Sequence, residues 1–495
     1  MTELKEDLGQ VWTPDYIVEE MLDNVGYIDS HSDILDKKIM EPSFGNGAFL
    51  YKIIERLIQC AVNAGKVGQE IAHIIDENVH GIEYDEETYS STLNSLKAWL
   101  KEKYKLECSL PHLYCMDTLD YKIFNHFDYV IGNPPYIRVH DMPEEMRQKI
   151  KKYSHSTGNS DLYIIFFEIG LKMLNERGKL AYITPNSWLR NTSQKKFRKN
   201  LIEEQQVVKI VNFNAEQVFD KVGTYTCISY LSKGSEKEMT YVDASKTLTT
   251  NYKRTLPYID KGLFTSGVLA FSSEVDQFFL NSMYQKEGQA LGDVCRIQNG
   301  ILTLGNTYFL IDSDDERYTH LGIDDFIYPA VKGTRYKGTN TFQKMIFPYH
   351  KNPLNNRFEG ITEERLAKHS EIFDILTKNK EKLEKRSLEK GSLWFWYRNQ
   401  SVQETDKRKL VFNHIVGPQQ EKVSAYVVPA NTLVYSGFFI TEQETNDLFS
   451  SAISLEEVQK IIESPDFIRY VRIVGKDMNG GYKEFSTVHM KKFRF

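Results

Sequence analysis

The sequence predicts an α/β fold in its first half and a mixed α+β domain in its second half. Up to about residue 233, apolar runs of strand length alternate with segments of helical periodicity. That alternation is typical of βαβ units and a largely parallel sheet. Further on, glycine-rich turns and short β-like runs such as FFLNSM (278–283) replace it. We therefore expect two domains, residues 1–245 and 246–495, which meet in a polar stretch of the chain.

The overall composition is that of an ordinary globular chain. Of its 495 residues, 41% are hydrophobic and 26% are charged. No apolar run approaches the roughly 20 residues that a bilayer crossing needs, and the acidic, polar N-terminus is unlike a secretory signal. Five scattered cysteines form no CxxC pair and no cluster with histidine. We therefore expect reduced thiols, no metal site, no membrane partner and a cytoplasmic location.

The predicted elements of the first domain follow one another in a regular order. Strands are expected at 38–42, 78–85, 112–117, 127–133, 179–185, 207–213 and 225–233, and helices at 47–65, 86–104 and 162–178. The last two strands leave no room for a helix between them, so we expect an antiparallel strand at one edge of the sheet. In the second domain, residues 363–390 are predicted to form a long helical insert.

Three successive predicted strands each end in an acidic residue: Glu41, Glu83 and Asp117. The carboxyl ends of parallel strands meet at one edge of a sheet, where ligands of open α/β folds bind. Glu41 suits a cation or hydroxyl, Glu83 a pair of ribose hydroxyls, and Asp117 an exocyclic amine such as adenine N6. Together they favour an adenosine that carries a cation over a dinucleotide, whose phosphates two acidic groups would repel.

A glycine turn follows the first of these strands. Gly45 and Gly47 permit a tight turn and close approach of a ligand to the backbone, but the Gly-Lys-Ser/Thr ending of a phosphate-binding loop is missing. Beside the second acidic residue, Tyr84 is expected either to pack on an adenine face or to cap the core.

The stretch NPPY, residues 133–136, follows another predicted strand. Two prolines fix φ and remove two N–H donors, so that the Pro134 carbonyl and the Asn133 amide oxygen become rigid acceptors. Tyr136 adds an aromatic plane. Two acceptors beside a stacking surface are suited to holding an aromatic amino group for attack on an electrophilic methyl group. Phe219 is a candidate for the other side of the stacked base, and Tyr225 is a competing candidate.

The net charge of −6 gives no global sign of a nucleic-acid partner. Two local stretches are basic, however: residues 190–199, and residues 335–409, in which Lys and Arg outnumber Asp and Glu. A basic face could contact phosphates, although solvated helix surfaces explain the same pattern.

The order and spacing of these motifs resemble the gamma-class adenine-N6 DNA methyltransferases of restriction–modification systems, the TaqI-like group. The likeness covers residues 9–233: GQVWTP, EPSFGNGAF, GIEYD, CMDTLDY, NPPY and VFDKVGTYTCISYL stand in the family's order. It implies a Rossmann-like methyltransferase sheet followed by a mixed α+β target-recognition domain. One departure from the family is Thr118, which stands where a large apolar residue could have packed on the cofactor ring.

The resemblance also implies ligands and roles. S-adenosyl-L-methionine is the expected cofactor, with Thr13 and Pro14 lining its methionine end and Pro42 in the glycine motif. Double-stranded DNA is the expected substrate, its target adenine being flipped out of the helix for methylation at N6. The family implies a cognate restriction endonuclease as a further partner, and action as a monomer on DNA.

Other functions share parts of this pattern. NPPY also occurs in RNA adenine methyltransferases and in enzymes that methylate protein glutamine, but those chains usually have no large domain after the catalytic one. A bifunctional restriction enzyme would need a nuclease domain before the first motif, and only eight residues precede Gly9. A non-enzymatic DNA-binding protein is the remaining alternative.

Overall fold

The chain forms two compact units, Met1–Phe271 and Ser272–Phe495. The computed structural model describes residues 13–30, 32–156, 161–214, 218–219, 225–234, 236–244, 252–257, 274–311, 326–338, 342–398, 400–442, 453–478 and 481–495. The predicted boundary at residue 245 lies outside these residues, and the division into a catalytic and a target-recognition domain stays a prediction.

One large sheet organises the first unit. Its strands are β1 (Ile39–Glu41), β2 (Val79–Glu83), β3 (Leu113–Cys115), β4 (Phe127–Gly132), β5 (Leu174–Pro185), β6 (Val207–Asn212), β7 (Thr226–Ser232), β8 (Glu238–Asp243) and β9 (Tyr252–Pro257). Their order across the sheet is β3-β2-β1-β4-β5-β7-β6-β8-β9. The five strands β3, β2, β1, β4 and β5 are parallel to one another, as the βαβ pattern predicts. The predicted α/β fold is confirmed.

The antiparallel strand does not stand at the predicted place. β7 is antiparallel to both β5 and β6, but it is inserted between them rather than lying at an edge. Two further strands extend the sheet, since β8 pairs in parallel with β6 and β9 pairs antiparallel with β8. The absence of a helix between β6 and β7 in the sequence correctly predicted that these two strands run in opposite directions. The order of strands along the chain does not determine which of the two lies closer to the edge of the sheet.

The helices of the first unit are α1 (Asp15–Val25), α2 (Ala48–Asn63), α3 (Gly68–Asn78), α4 (Glu86–Trp99), α5 (Glu144–Ile150), α6 (Leu162–Met173) and α7 (Lys195–Glu203). Adjacent residues of β1 enter different buried clusters: Ile39 packs with Leu50 and Ile54 of α2, whereas Met40 packs with residues of α6. Because successive strand residues point to opposite faces, both faces of the sheet are buried.

The second unit is mixed α and β, as predicted. Its helices are α8 (Glu274–Gln285), α9 (Leu291–Val294), α10 (Glu363–Ala367), α11 (Ser370–Thr377), α12 (Lys380–Glu384), α13 (Leu455–Ile462), α14 (Pro465–Val474) and α15 (Thr487–Lys491). Its strands are β10 (Cys295–Asn299), β11 (Leu310–Ile311), β12 (Ile327–Lys332), β13 (Gln343–Ile346), β14 (Tyr349–Asn352), β15 (Arg357–Gly360), β16 (Lys409–Phe412), β17 (Ile415–Val416), β18 (Ala425–Val428), β19 (Leu433–Tyr435), β20 (Phe438–Glu442), β21 (Lys476–Met478) and β22 (Tyr482–Glu484). Two four-stranded sheets, β10-β20-β16-β18 and β11-β13-β12-β19, form among the described residues.

Two local predictions in this unit are wrong. The run 278–283 lies in α8, where Leu280 and Met283 are buried at the i, i+3 spacing of a helix. The expected long insert at 363–390 is divided into three short helices. The backbone leaves the helical region at His369, with φ −103° and ψ 76°, and a new helix begins after it.

Among the described residues, no helix combines the length and the apolar character that a bilayer crossing requires.

Candidate functional site

The three predicted acidic residues lie at one edge of the large sheet. Glu41 and Glu83 are the last residues of β1 and β2, and Asp117 follows β3 by two residues. The strands are adjacent and parallel, with Glu41 paired to Gly81 and Glu83 paired to Cys115. The sheet therefore brings together carboxyl groups that are far apart in the sequence.

Glu41 and Glu83 are both buried, at 2% and 6% exposure. Burial, and secondarily the nearby Glu83, raises the pKa of Glu41 well above its usual range. Burial likewise raises the pKa of Glu83, although backbone N–H groups partly offset the effect. Among the described residues, Glu41 Oε2 has no hydrogen-bond partner. A buried carboxylate oxygen of this kind is costly for the fold alone, and a donor or cation of a ligand would compensate it.

The glycine turn lies between these carboxylates. Gly45 and Gly47 have φ values of +50° and +80°, which side chains rarely adopt. The N–H of Gly45 donates to Glu83 Oε2 at 2.9 Å, and Thr92 Oγ1 donates to the Gly45 carbonyl at 2.8 Å. A Cβ on Gly47 would lie 3.0 Å from Thr92 Cγ2. The backbone conformation therefore favours glycine at both positions, and the space beside Gly47 is also tight.

The NPPY segment begins directly after β4 and contacts two of the predicted cofactor motifs. Asn133 Nδ2 lies 3.2 Å from Thr13 Oγ1 and donates to it. Ser43 Oγ donates to the Asn133 carbonyl at 3.3 Å. Thr13 is buried, and Pro14 after it is the N-cap of α1. The predicted catalytic asparagine is thus joined to residues 120 and 90 positions earlier in the chain.

Tyr136 is held by its hydroxyl and by neighbouring rings. The hydroxyl donates to the carbonyl of Ile183 at 3.2 Å, and burial raises the pKa of the phenol well above its usual range. The ring lies edge-on to Tyr163 with centroids 6.4 Å apart. Phe219, at 4% exposure, belongs to the apolar cluster against which Tyr136 packs. The two predicted stacking residues therefore share one aromatic and apolar environment.

The predicted adenine motif is tied to the glycine motif. Asp117 is the N-cap of a 3-10 turn, and its Oδ1 accepts the N–H of Leu119 at 2.9 Å. Thr118, the departure from the family pattern, donates to the Pro42 carbonyl at 2.5 Å. Its hydroxyl therefore replaces apolar packing with a hydrogen bond between the two motifs.

Tyr84 is 61% exposed. The alternative in which its ring caps the core is wrong, because the side chain lies at the surface beside Glu83. An exposed ring at the strand edge remains suited to packing on a planar ligand.

The basic stretch 190–199 does not act as a uniform charged face. Arg198 is 1% exposed and donates to the carbonyls of Trp188 and Asn191 at 2.6 and 2.7 Å. Burial lowers the pKa of this guanidinium to about 10. Its role is structural, whereas Lys195 and Lys196 beside it are exposed.

Sequence reasoning missed three polar residues of this region: Ser43, Thr92 and Lys149. Lys149 forms ion pairs with Asp117 and Asp120, at 2.8 and 2.7 Å. These contacts join separate elements, so no local sequence pattern could have indicated them. In the part of the chain that the structure describes, no group of three or more His, Cys, Asp or Glu residues is arranged to hold a metal ion.

Part of the first unit resembles a known protein family. Residues 49–219 match the model of the Eco57I restriction-modification methylase family. Over these residues the chain is similar to that family. The match begins just after the turn that contains Gly45 and Gly47, and it includes the acidic strand ends at Glu83 and Asp117, and NPPY.

Two curated relatives carry the same kind of description. The Escherichia coli protein named type II restriction enzyme and methyltransferase RM.Eco57I is 25% identical over 81% of this chain and 48% of its own length. The Geobacillus stearothermophilus type II methyltransferase M.BstVI is 28% identical over 48% of this chain and 44% of its own. The chain spans about half the length of these relatives.

Solved structures confirm the fold over nearly the whole chain. The type IIL restriction-modification enzyme MmeI, in a complex with DNA, superimposes with a TM-score of 0.62 and 12% identity, over 96% of this chain and 65% of that one. A DrdV–DNA complex superimposes with a TM-score of 0.52 and 14% identity, over 94% of this chain and 53% of that one.

Proposed function

We propose that this chain is a DNA methyltransferase that transfers a methyl group from S-adenosyl-L-methionine to N6 of an adenine flipped out of double-stranded DNA. The observation that carries the proposal is the direct hydrogen bond between Asn133 of NPPY and Thr13 of the predicted cofactor motif. That bond brings the group suited to an amine substrate next to residues suited to the methionine end of the cofactor.

The residues at the sheet edge fit the cofactor's chemistry. Glu83 would take ribose hydroxyls, Asp117 the exocyclic amine of adenine, and the exposed ring of Tyr84 the face of the base. The unpartnered Glu41 Oε2 is suited to a hydroxyl or to the positive end of the ligand. When bound, S-adenosyl-L-methionine supplies an electrophilic methyl group on a sulfonium.

The substrate amine is oriented by Asn133 and by the carbonyl of Pro134. Both oxygens accept N–H bonds, so the amine lone pair is drawn out of conjugation with the ring and aimed at the methyl group. As the new N–C bond forms, the bond between the methyl carbon and the sulfonium sulfur would break, and S-adenosylhomocysteine would leave with the electron pair. The amine becomes positively charged, the two oxygens stabilise that charge, and the extra proton is then lost to solvent. Catalysis then consists of orientation and electrostatics, without a covalent enzyme intermediate.

Flipping an adenine out of a duplex costs a few kcal/mol of stacking and pairing. Stacking on an aromatic side chain returns about 1–3 kcal/mol per base. Tyr136, held by Ile183 and Tyr163, supplies a fixed ring for this purpose, with Phe219 in the same apolar cluster. Immobilised rings lose little entropy when the base arrives, so the stacking energy is retained.

The second unit is the proposed source of phosphate contacts. Three lysines in and after the helical segment are exposed: Lys382, Lys385 and Lys390. Lysines of this kind bind the DNA backbone without reading sequence and give affinity that falls with salt. We also propose, as the family resemblance implies, that this unit recognises the target sequence, that the chain acts as a monomer on DNA and that a cognate restriction endonuclease is a partner.

The test is to map the product. The chain is incubated with S-adenosyl-L-methionine labelled in the methyl group and with unmethylated genomic DNA, and the DNA is digested to nucleosides and sequenced. The proposal predicts N6-methyladenine in one short sequence motif. Label in RNA, or on glutamine of a protein, with none in DNA would instead support the RNA or protein methyltransferase alternatives.

A further inference from the structure

The segment that follows NPPY, residues 138–156, is here called the strap. It contains a 3-10 turn (Val139–Asp141) and α5, and it leads toward α6. Met142 and Ile150 are 2% and 1% exposed and belong to the same buried cluster as α6. The strap is therefore packed on the first unit and is more than a polar surface loop.

The strap is bonded to the turn that carries the proposed adenine site. Lys149 Nζ lies 2.8 Å from Asp117 Oδ2 and 2.7 Å from Asp120 Oδ2. The Tyr153 hydroxyl donates to the Leu119 carbonyl at 2.9 Å. The strap therefore contacts Asp117, Leu119 and Asp120 of the same turn, through two ion pairs and one hydrogen bond.

The far end of the strap is anchored separately. Glu168 of α6, at 6% exposure, accepts the backbone N–H groups of Ser154 and His155, both at 3.1 Å. The Ser154 hydroxyl donates to the same carboxylate at 3.0 Å. With its end fixed on α6, the strap meets the adenine turn through Lys149 and the residues just after it.

Lys149 therefore shares a carboxylate with the proposed cofactor site. Asp117 Oδ1 accepts the Leu119 N–H, and Oδ2 faces Lys149. An ionised carboxylate has about four acceptor positions, so it can also accept an exocyclic amine. A ligand that donates a hydrogen bond to Asp117 would restrict the motion of that side chain. Because Lys149 is paired with Asp117, the same restriction would extend to the strap. The strap begins at the exposed Arg138, close to NPPY.

We propose that Lys149 is a positioning residue that couples cofactor occupancy at Asp117 to the placement of the strap, and hence to DNA binding beside NPPY. The inference rests on the proposed function and adds a route of communication to it. Cofactor and DNA then bind with positive cooperativity, which is reciprocal: each ligand tightens the binding of the other by the same factor.

The experiment measures that factor in the full chain. Fluorescence anisotropy gives the Kd for a duplex carrying the mapped methylation motif, with and without saturating S-adenosylhomocysteine. For the unmodified chain we expect about a five-fold or larger tightening by the cofactor product. Lys149→Met should reduce the factor to near unity, and Lys149→Arg, which keeps the charge, should restore most of it.

Lys151→Met is the matched control. Lys151 follows α5, is exposed, and contacts Gln148 Oε1 at 2.9 Å rather than the adenine turn. It should keep the coupling factor of the unmodified chain. If the Lys149→Met chain folds poorly, Lys149→Gln is the second variant, because it removes the charge and adds less apolar surface. Its DNA binding should likewise no longer be tightened by S-adenosylhomocysteine.

Two results would overturn the inference while leaving the proposed function intact. One is a Lys149→Met chain with undiminished coupling, and the other is an unmodified chain that binds both ligands independently. Failure of the unmodified chain to bind either ligand would reject the proposed function and this inference together, so the two failures are distinguishable.

Discussion

Buried ionisable side chains have different surroundings in the two units of this protein. At the sheet edge of the first unit, Glu41 and Glu83 lie near each other at low exposure, and burial raises the pKa of both. In the second unit, Lys409 is equally buried but donates to the carbonyls of Thr405 and Lys407, at 2.9 and 2.8 Å.

The comparison separates carboxyl groups that suit the proposed cofactor from an amino group that serves the fold. A buried amino group that donates to backbone carbonyls satisfies hydrogen bonds within the fold. Two neighbouring buried carboxyl groups, one with an oxygen that has no partner among the described residues, are costly for the fold alone, and the proposed cofactor would compensate part of that cost. Substitutions in the two units should therefore affect different measurements.

The largest effect should come from Asn133→Ala. Loss of the amide removes an acceptor that stabilises developing positive charge, and comparable losses of one polar group in an active site cost about 100- to 1,000-fold in rate. The methylation rate should fall by that amount, while the affinity for S-adenosylhomocysteine changes little. Asn63→Ala, at an exposed position at the end of α2, is the control and should behave as the unmodified chain. A rate within experimental error of the unmodified chain would contradict the assignment.

Arg386→Met should destabilise the second unit. Arg386 donates to the carbonyls of Leu383, Thr303 and Trp394, and its guanidinium lies over the Phe309 ring at 5.1 Å. Leaving these carbonyls unpaired should lower the free energy of unfolding by about 2–4 kcal/mol in chemical denaturation.

Its neighbour provides the matched control. Lys385 is exposed, and Lys385→Met should change stability by less than about 0.5 kcal/mol. If Lys385 contacts a DNA phosphate, the same substitution should also lower the slope of log K for DNA binding against log salt concentration by about one. Equal destabilisation by both substitutions would contradict the distinction between structural and surface charge.

Glu83→Gln should weaken cofactor binding by about 10- to 100-fold, the range expected for a lost hydrogen bond to a charged group. The pH dependence should change as well. Ribose hydroxyls bind the ionised carboxylate, and burial raises its pKa above 4.5, so affinity should rise as the pH rises through that raised value.

Calorimetric titration with S-adenosylhomocysteine over a pH series measures both effects. The Gln variant should show weak affinity with no such rise, whereas Glu86→Gln, at an exposed position three residues further on, should follow the unmodified chain. An unmodified chain whose affinity is flat with pH above 4.5 would show that Glu83 does not bind the ligand as a carboxylate.

A smaller change in the free energy of unfolding should result from the titration of Lys409. Burial lowers the pKa of this ammonium to about 7, against 10.5 in the unfolded chain. Between these values the unfolded chain holds a proton that the folded chain lacks, so stability rises with pH and falls as the pH drops toward 7. The gain between pH ~7.5 and ~9 should be about 1–2 kcal/mol, and Lys409→Met should remove it. Denaturation curves at several pH values would show this, and an unchanged slope in the Met variant would assign the effect to another group.

The fold of the first unit could be largely predicted because its strands and helices are evident from short stretches of sequence. A parallel sheet gathers strand ends at one edge, so that Glu41, Glu83 and Asp117 could be assigned to the same place from their positions in the sequence. The Asn133–Thr13 bond and the Lys149–Asp117 pair join distant elements and left no local signal. The placement of β7 inside the sheet also depends on tertiary pairing.

The second unit was less predictable for a related reason. Its sheets are largely antiparallel and short, so local periodicity does not settle whether a run such as 278–283 is strand or helix. The sequence predicts possible phosphate contacts for the basic residues of 335–409 and 190–199 alike. The side chains of Arg386 and Arg198, however, donate to backbone carbonyls. Burial decides which basic side chains are accessible to a ligand, and burial cannot be read from composition.

The most direct test of the central claim is photolabelling of the site. Ultraviolet irradiation of the chain with S-adenosyl-L-methionine labelled in its methyl group attaches label to residues beside that methyl, and trypsin digestion with mass spectrometry locates it. Label in the tryptic peptide 123–138, which contains NPPY, is the expected result, and excess S-adenosylhomocysteine should abolish it. Label confined to peptides of the second unit would contradict the claim that the carboxyl edge of β1–β4 holds the reacting groups.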